Sequence, residues 1–463
     1  MSRCLALFLA VNIFALVASP SSSTEPIGWR TNGTGSYPKA QPPLTWSKDK
    51  NVLWKTPMPG MSNSIPVLLD HRVLICSEPC QLICLHRDDG KILWQKNSSY
   101  AELDINAKLQ EKIKIEQVEV EKLNKQISGL NREADLLRRK LKDDATAKPD
   151  IDKKLADLKV RTEELKTEKL KFAAALRYTY PGTHGTAGYS SPTPVTNGKE
   201  IFVAFGNGLV ACFDLDGNRQ WLKLIEHSTA AFAHSNSPVL IGDKVLIHFA
   251  DLVALSAKDG SELWRVKMPP KHGTSVTTRI GDVDVAITPN GKIIRMEDGV
   301  MLADNLGSCG ANSPLLHDGK VYFIQGNATA TQLPETLTRP TKIAPLWRSR
   351  VKGGGYWFPS PVLHEGLLYA VDDRGIFSVV DAKDGKLVYE ERVELGGTVY
   401  PSISLAGDRV YVSSDNGNTV VIQAGREFKE LARNSLETFR SSLVFEGKRM
   451  YVRTYKNLYC IGE

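Results

Sequence analysis

One phrase returns along this chain, and it restricts the possible folds more than any other feature. It opens with a Ser-Pro-Val-like step, passes through two apolar strand-like runs, and ends in Asp-Gly followed by Trp. A clear copy is Ser237-Pro238-Val239, Lys244-Val245-Leu246-Ile247, Leu252-Val253-Ala254-Leu255, Asp259-Gly260, Leu263-Trp264. An earlier copy runs through Pro66-Val67, Val73-Leu74-Ile75, Leu82-Ile83-Cys84-Leu85, Asp89-Gly90 and Leu93-Trp94. Further starts stand at Pro194-Val195, Ser275-Val276, Ser313-Pro314, Ser360-Pro361, Ser402-Ile403 and Ser442-Leu443. Away from one large insertion, the spacing matches the ~40–50 residues of a four-stranded propeller blade. The runs are short, β-branched and bounded by turn residues, as strands and hairpins require. Asp-Gly at 89–90, 259–260 and 384–385 supplies the positive φ of tight hairpins.

The spacing therefore predicts an all-β fold, an eight-bladed β-propeller. Trp94, Trp221, Trp264 and Trp347 share one repeat position, where a flat ring can fill the wedge between blades; Tyr389 stands there in the sixth copy. Copies four and seven lack the aromatic. The last copy stops after Leu458-Tyr459-Cys460-Ile461, and its missing strand is present near the other end as Asn51-Val52-Leu53-Trp54-Lys55. Pairing the two would complete the eighth blade and remove two open sheet edges.

Residues 101–177 have a different character. Leu109, Ile113, Glu116, Val120, Leu123, Ile127, Leu130, Ala134, Leu137 and Leu141 alternate three and four apart. After Pro149 the pattern restarts at Ile151, Leu155, Leu158, Thr162, Leu165, Lys169, Phe172 and Leu176. Two heptad arms around a proline break predict an inserted antiparallel α-helical coiled-coil hairpin. An arm of about 30 residues would reach roughly 45 Å. Polar Glu116, Thr162 and Lys169 at seam positions suggest control of register. The hairpin reads either as self-contained or as a spacer or docking arm for a protein partner.

At the N-terminus, Arg3 precedes an apolar run from Leu5 to Ala18 and then Pro20-Ser21-Ser22-Ser23-Thr24. This is the pattern of a secretory signal, and the run falls short of the ~20 residues of a membrane span. An uncleaved anchor is the alternative. The expected layout is a signal peptide over 1–23, an extension over 24–44, propeller over 45–100, the hairpin over 101–177, and propeller again over 178–463. No other segment could span a bilayer. The expected location is the periplasm or cell envelope, with an envelope protein as partner. The formal charge of +7 over 463 residues comes without a dense basic stripe, so nucleic acid is not expected. The six cysteines beyond Cys4 permit disulfides without demanding them. Cys84, Cys212 and Cys460 share one strand position with Ala254, which suits a small buried hydrophobe.

The repeats resemble the pyrroloquinoline-quinone-like propeller family, whose blades end in an Ala-x-Asp-x-x-Gly-x-x-x-Trp-type phrase. The matching stretches are 85–94, 255–264 and 380–385, and the likeness covers about residues 45–100 and 185–463. The family divides into quinone-dependent alcohol and sugar dehydrogenases and a cofactor-free branch. The latter includes the propeller subunit of the outer-membrane β-barrel assembly machinery. Trp29-Arg30-Thr31-Asn32-Gly33-Thr34-Gly35 looks like the N-terminal phrase of planctomycete-type exported members. The dehydrogenase branch implies a quinone (PQQ), Ca²⁺ and, in the alcohol dehydrogenases, an adjacent Cys-Cys pair, which this chain lacks. No compact Asp/Glu/Asn cluster suits a hard cation, and Asp372-Asp373 reads as a turn. The expectation is a non-catalytic scaffold without cofactor, with quinone-dependent oxidation as the alternative.

Residues preceding each first strand should converge at one mouth of the channel. They are His184, Tyr189, His234, His272, Cys309, Tyr356, Trp357, Phe358, Tyr400 and Arg440. Aromatics, imidazoles and one guanidinium around a funnel could bind a small polar ligand or a peptide, or could simply fill the channel. His184, His234, His272 and Cys309 are also ligand types that suit zinc. No nucleophile motif or phosphate loop is present.

Overall fold

The computed structural model describes residues 25–143, 148–228, 235–351 and 353–463. The signal-like segment and His234 lie outside them. The described strands form eight antiparallel sheets, each an up-and-down meander of four consecutive strands apart from two sheets that recruit strands from the N-terminal region. Repeated four-stranded meanders of this kind are the blades of a β-propeller. Each sheet begins at one of the sequence repeats. In the first, Val67–Leu69, Arg72–Ser77, Gln81–His86 and Ile92–Asn97 follow one another outward. The middle two strands are buried almost throughout and the outermost alternates toward solvent. Middle strands covered on both faces by neighbouring sheets read as continuous apolar runs rather than alternating ones.

Two devices join neighbouring sheets, one at five of the joints and the other at seven. At the outer side, the repeat tryptophan reaches across. The indole N–H groups of Trp54, Trp94, Trp221, Trp264 and Trp347 donate to the carbonyls of Arg87, Leu215, Ala257, Met296 and Ala382, all at 2.9–3.0 Å. Each ring lies on the turn glycine of the neighbouring sheet. At Gly260 (φ +69°) a Cβ would come within 2.7 Å of the Trp221 ring, so the repeat needs glycine for both its conformation and the close approach. The residue paired with each ring is small: Cys84 opposite Trp94, Cys212 opposite Trp221, Cys460 opposite Trp54, Ala254 opposite Trp264. A bulge beside the ring in these four sheets re-aims it over the neighbour. Tyr389 does not dock this way. Its hydroxyl has no partner among the described residues, and its ring packs edge-on against Phe428. The phenol lacks the second ring that carries the indole donor across.

At the inner side, a hydroxyl at the start of each repeat accepts the amide of the equivalent residue in the preceding repeat. Ile65 donates to Thr193, Thr193 to Ser237, Ser237 to Thr274, Thr274 to Ser313, Ser313 to Ser360, Ser360 to Ser402, and Ser402 to Ser442. The circuit of 2.8–3.1 Å bonds breaks where Ile65 stands in place of a hydroxyl.

That joint is closed by other means. Val52–Pro57 pairs antiparallel with Asn457–Ile461, as the complementary half-repeats require. Buried Arg453 gives its guanidinium to the carbonyls of Thr454 and Gly60. Glu437 accepts from Asn457, Tyr459, Thr454 and Lys55 at 2.7–3.0 Å. Burial alone would raise this carboxyl, but the four donors outweigh it and hold it down at about 2.

Before this strand, residues 25–46 cross from one side of the propeller to another. Ile27 bridges Thr196, and Ser36–Tyr37 pairs in parallel with the strand Ser404–Ala406. Arg30 is buried between them and donates to the carbonyls of Pro361 and Ile403.

Helices α1 (Ala107–Asp143), α2 (Lys148–Lys169) and α3 (Ala173–Arg177) lie between the first and second sheets. The described seam residues of α1 and α2 are buried or half-buried, while Ile115, Val118 and Val160 face outward. The seam polar groups have partners: Glu116 accepts the Ala175 amide, Lys169 donates to Asn124, and Thr162 donates to the Leu158 carbonyl. At the root, Tyr100 packs with Tyr178, Tyr180 and His227, and Glu102 pairs with Arg219. Among the described residues no helix is long and apolar enough to cross a membrane. Cys76, Cys80, Cys84, Cys212, Cys309 and Cys460 are buried free thiols.

Two stability predictions arise here. Gly260→Ala should cost more than about 1 kcal/mol in denaturant unfolding, whereas Gly129→Ala, in open space on α1, should gain about 0.5–1 kcal/mol. Equal effects would remove the docking role of the turn glycine. The Glu437 contribution is present above the ordinary carboxyl value of 4.5 and is lost as pH falls toward about 2. Glu437→Gln should therefore be less stable at neutral pH and lose less stability over that acid range. An unchanged acid slope would show that the carboxylate contributes nothing to closure.

Candidate functional site

The inner ends of the repeats enclose a cavity of about 480 Å³ to which every one of the eight contributes. Its wall carries six of the hydroxyls of the inner circuit: Thr193, Thr274, Ser313, Ser360, Ser402 and Ser442. Each oxygen already accepts an amide, and among the described residues none of the six hydroxyl hydrogens has an acceptor. The wall is therefore rich in donors. No aspartate or glutamate lines it.

Of the residues expected at the mouth, His184, His272, Phe358, Tyr400 and Arg440 line this cavity. Arg440 lies 3.8 Å over the Tyr400 ring, donates to Thr186 Oγ1 at 3.0 Å, and faces Asp415 at 3.5 Å. Its Nε is buried without a partner among the described residues. Phe358 stacks on Tyr400 at 4.7 Å, and Tyr356 stacks on Phe358 at 5.6 Å. Tyr356 is 72% exposed, so the column runs from open rim to guanidinium. Burial, reinforced by the charge of Lys271, holds the His272 imidazole below its ordinary value. His184 Nδ1 lies 2.9 Å from Thr186 Oγ1.

Three expected residues sit elsewhere. Trp357 points the opposite way from Tyr356 and Phe358, as alternation along extended chain dictates, and is buried in the core between the fifth and sixth repeats. Tyr189 belongs to the root of the helical arm, where it packs on Tyr180 and donates to the Pro181 carbonyl at 2.5 Å. Cys309 is fully buried among Ile287, Leu306 and Phe323, and burial pushes its thiol up. Among the described residues no group of three or more His, Cys, Asp or Glu is placed to hold a metal ion.

Sequence reasoning missed Trp29, which the crossing segment brings into the cavity, and the Arg30 guanidinium beside it, 5.2 Å from the Trp29 ring. Burial lowers the Arg30 guanidinium to about 10. It also missed the hydroxyl circuit, whose signal was on view as the Ser or Thr opening nearly every repeat.

The Ca²⁺ that the dehydrogenase branch implies meets no carboxylate among these residues. A hard cation is held by oxygen ligands, with carboxylates prominent among them, and the cavity wall carries none of the latter. The Asp372 and Asp373 carboxylates are occupied by backbone amides of Arg374, Ile376 and Tyr356.

Comparison with known proteins places the chain. Residues 173–339 and 337–427 match the family described as Outer membrane protein assembly factor BamB. A curated relative of that description from Moranella endobia is 22% identical over 254 residues, covering 51% of this chain and 62% of that protein. The chain thus spans less than two thirds of that relative's length. Among solved structures, BamB from Moraxella catarrhalis superposes with a TM-score of 0.53 at 10% identity, covering 88% of this chain and 98% of that one. The quinohemoprotein alcohol dehydrogenase ADHIIG from Pseudomonas putida HK5 gives 0.50, also at 10% identity, covering 93% and 80%. Both structures share the fold, and only one is an oxidoreductase, so the fold alone does not choose between them. The family match runs over more than half of the sequence, and the chain belongs to the BamB-type family of quinoprotein-like repeat propellers.

Proposed function

We propose that this protein is an exported, non-catalytic scaffold of the cell envelope. In this reading the eight sheets are eight blades of one ring, and α1 and α2 form a coiled-coil hairpin that reaches toward another component. The ring presents its channel mouth to a ligand or to a protein partner. The signal-like segment before residue 24 and the family's description as an outer membrane assembly factor both favour the envelope, with a periplasmic location. The proposed partner is an envelope protein of the assembly machinery that such relatives are named for.

The observation that carries this reading is the cavity wall. It collects hydroxyls, stacked aromatics, two imidazoles and a guanidinium, but no carboxylate that could bind a hard cation. Such a wall is suited to holding a ligand by stacking and hydrogen bonds. At 1.5 Å per residue the 37 residues of α1 extend about 55 Å, far enough to engage a partner well away from the ring. The tyrosine cluster and the Glu102–Arg219 pair at its root support a fixed direction.

Replacing residues 107–169 by a short Gly/Ser linker should leave thermal unfolding within a few degrees while abolishing capture of envelope partners by the tagged protein. Full capture after deletion would end the docking role. Addition of quinone with Ca²⁺ should give no turnover of alcohols or aldoses with an artificial electron acceptor. Measurable turnover would replace the scaffold by an oxidoreductase.

A further inference from the structure

We propose that the cavity receives the free carboxyl terminus of a polypeptide whose last residue is apolar or aromatic. The inference rests on the reading of the channel mouth as a binding surface and names what binds there.

The polarity of the wall sets the chemistry. Six hydroxyl residues whose oxygens already accept an amide line the cavity together with Arg440, whose side chain is a fifth exposed. A ligand that satisfies them must bring acceptors. Charge points the same way: behind Trp29, the Arg30 guanidinium is buried against carbonyls alone, with no carboxylate partner among the described residues. Arg440 has one, Asp415, at a loose 3.5 Å. A carboxylate offers two acceptor oxygens in the flat geometry that a guanidinium and neighbouring hydroxyls take best. A buried donor left without an acceptor is costly, so such a group is favoured over water-excluding apolar filling.

The aromatic column sets the body of the ligand. Arg440, Tyr400, Phe358 and Tyr356 stack in sequence, with Tyr356 at the open rim. A carboxylate held at Arg440 places the attached side chain against Phe358 and Tyr400. The rest of the chain leaves over Tyr356. A small aromatic acid shares the carboxylate but would not extend to Tyr356, and this separates the two sources.

Binding is measured by calorimetry on the full chain with four probes: a short acetylated peptide ending in phenylalanine, its carboxamide, N-acetylphenylalanine and inorganic phosphate. The free peptide should bind, and amidation should weaken it at least tenfold. Arg440→Gln should produce a comparable loss, with thermal unfolding as the check on its fold. Tyr356→Ala, at an exposed ring, should weaken the peptide severalfold and leave N-acetylphenylalanine unchanged. Equal affinity for acid and amide, or for phosphate and peptide, overturns the carboxylate. Equal affinity for N-acetylphenylalanine and peptide overturns the chain end. If no probe binds while the hairpin still captures partners, this inference fails and the scaffold stands. If the peptide binds and capture by the hairpin is absent, the docking role fails and this assignment remains.

Discussion

The structure depends on how one twisted four-stranded sheet covers the face of the next. Each sheet has two apolar faces and could not survive alone in water. The joint between neighbours is made by a hydroxyl on an amide at seven inner positions and by an indole on a turn glycine at five outer ones. The outer contact contributes area and the inner one contributes orientation. A hydrogen bond of that kind is worth only about 1 kcal/mol, but it fixes where each first strand begins. Since all seven bonds run in the same sense, the first strands are held in a common position around the axis, and the cavity is defined by that constraint.

The same arrangement explains how a long insertion is tolerated. The helices leave from the outermost strand of the first sheet, Ile92–Asn97, and the chain returns to the innermost strand of the second, Val195–Thr196. Neither inner nor outer joint passes through them. Trp94 still reaches the Leu215 carbonyl and Ile65 still reaches Thr193 across the insertion. The insertion therefore leaves the joint between the first and second sheets intact.

Much of this was legible in the sequence, because repetition amplifies weak signals. The repeat starts and the completing strand at 51–55 match the strands and the pairing that the structure contains. The docking rings were legible as a column of Trp, though not that their partner is the glycine one sheet away. Placement of single residues was less legible. Trp357 and Tyr189 stand next to cavity residues in sequence, but side-chain direction and the arm root send them elsewhere. Trp29 and Arg30 were out of reach because they lie outside the repeat, and only the fold reveals which sheets they cross between. Tyr389 marks the limit of substitution by likeness: an aromatic fills the position but lacks the donor that makes the joint.

Ile65, the one position of the inner circuit without a hydroxyl, falls where the two ends of the chain meet; Gly462 there donates to the Asn51 carbonyl at 2.8 Å. Every other joint links segments adjacent in sequence, whereas this one must bring together residues some four hundred positions apart. Closing so long a loop is entropically slow, so the seam should be the last contact to form and the first to open. A propeller with seven hydroxyl welds and one clasp has a defined place to breathe, and Ile65 at that clasp borders the same cavity.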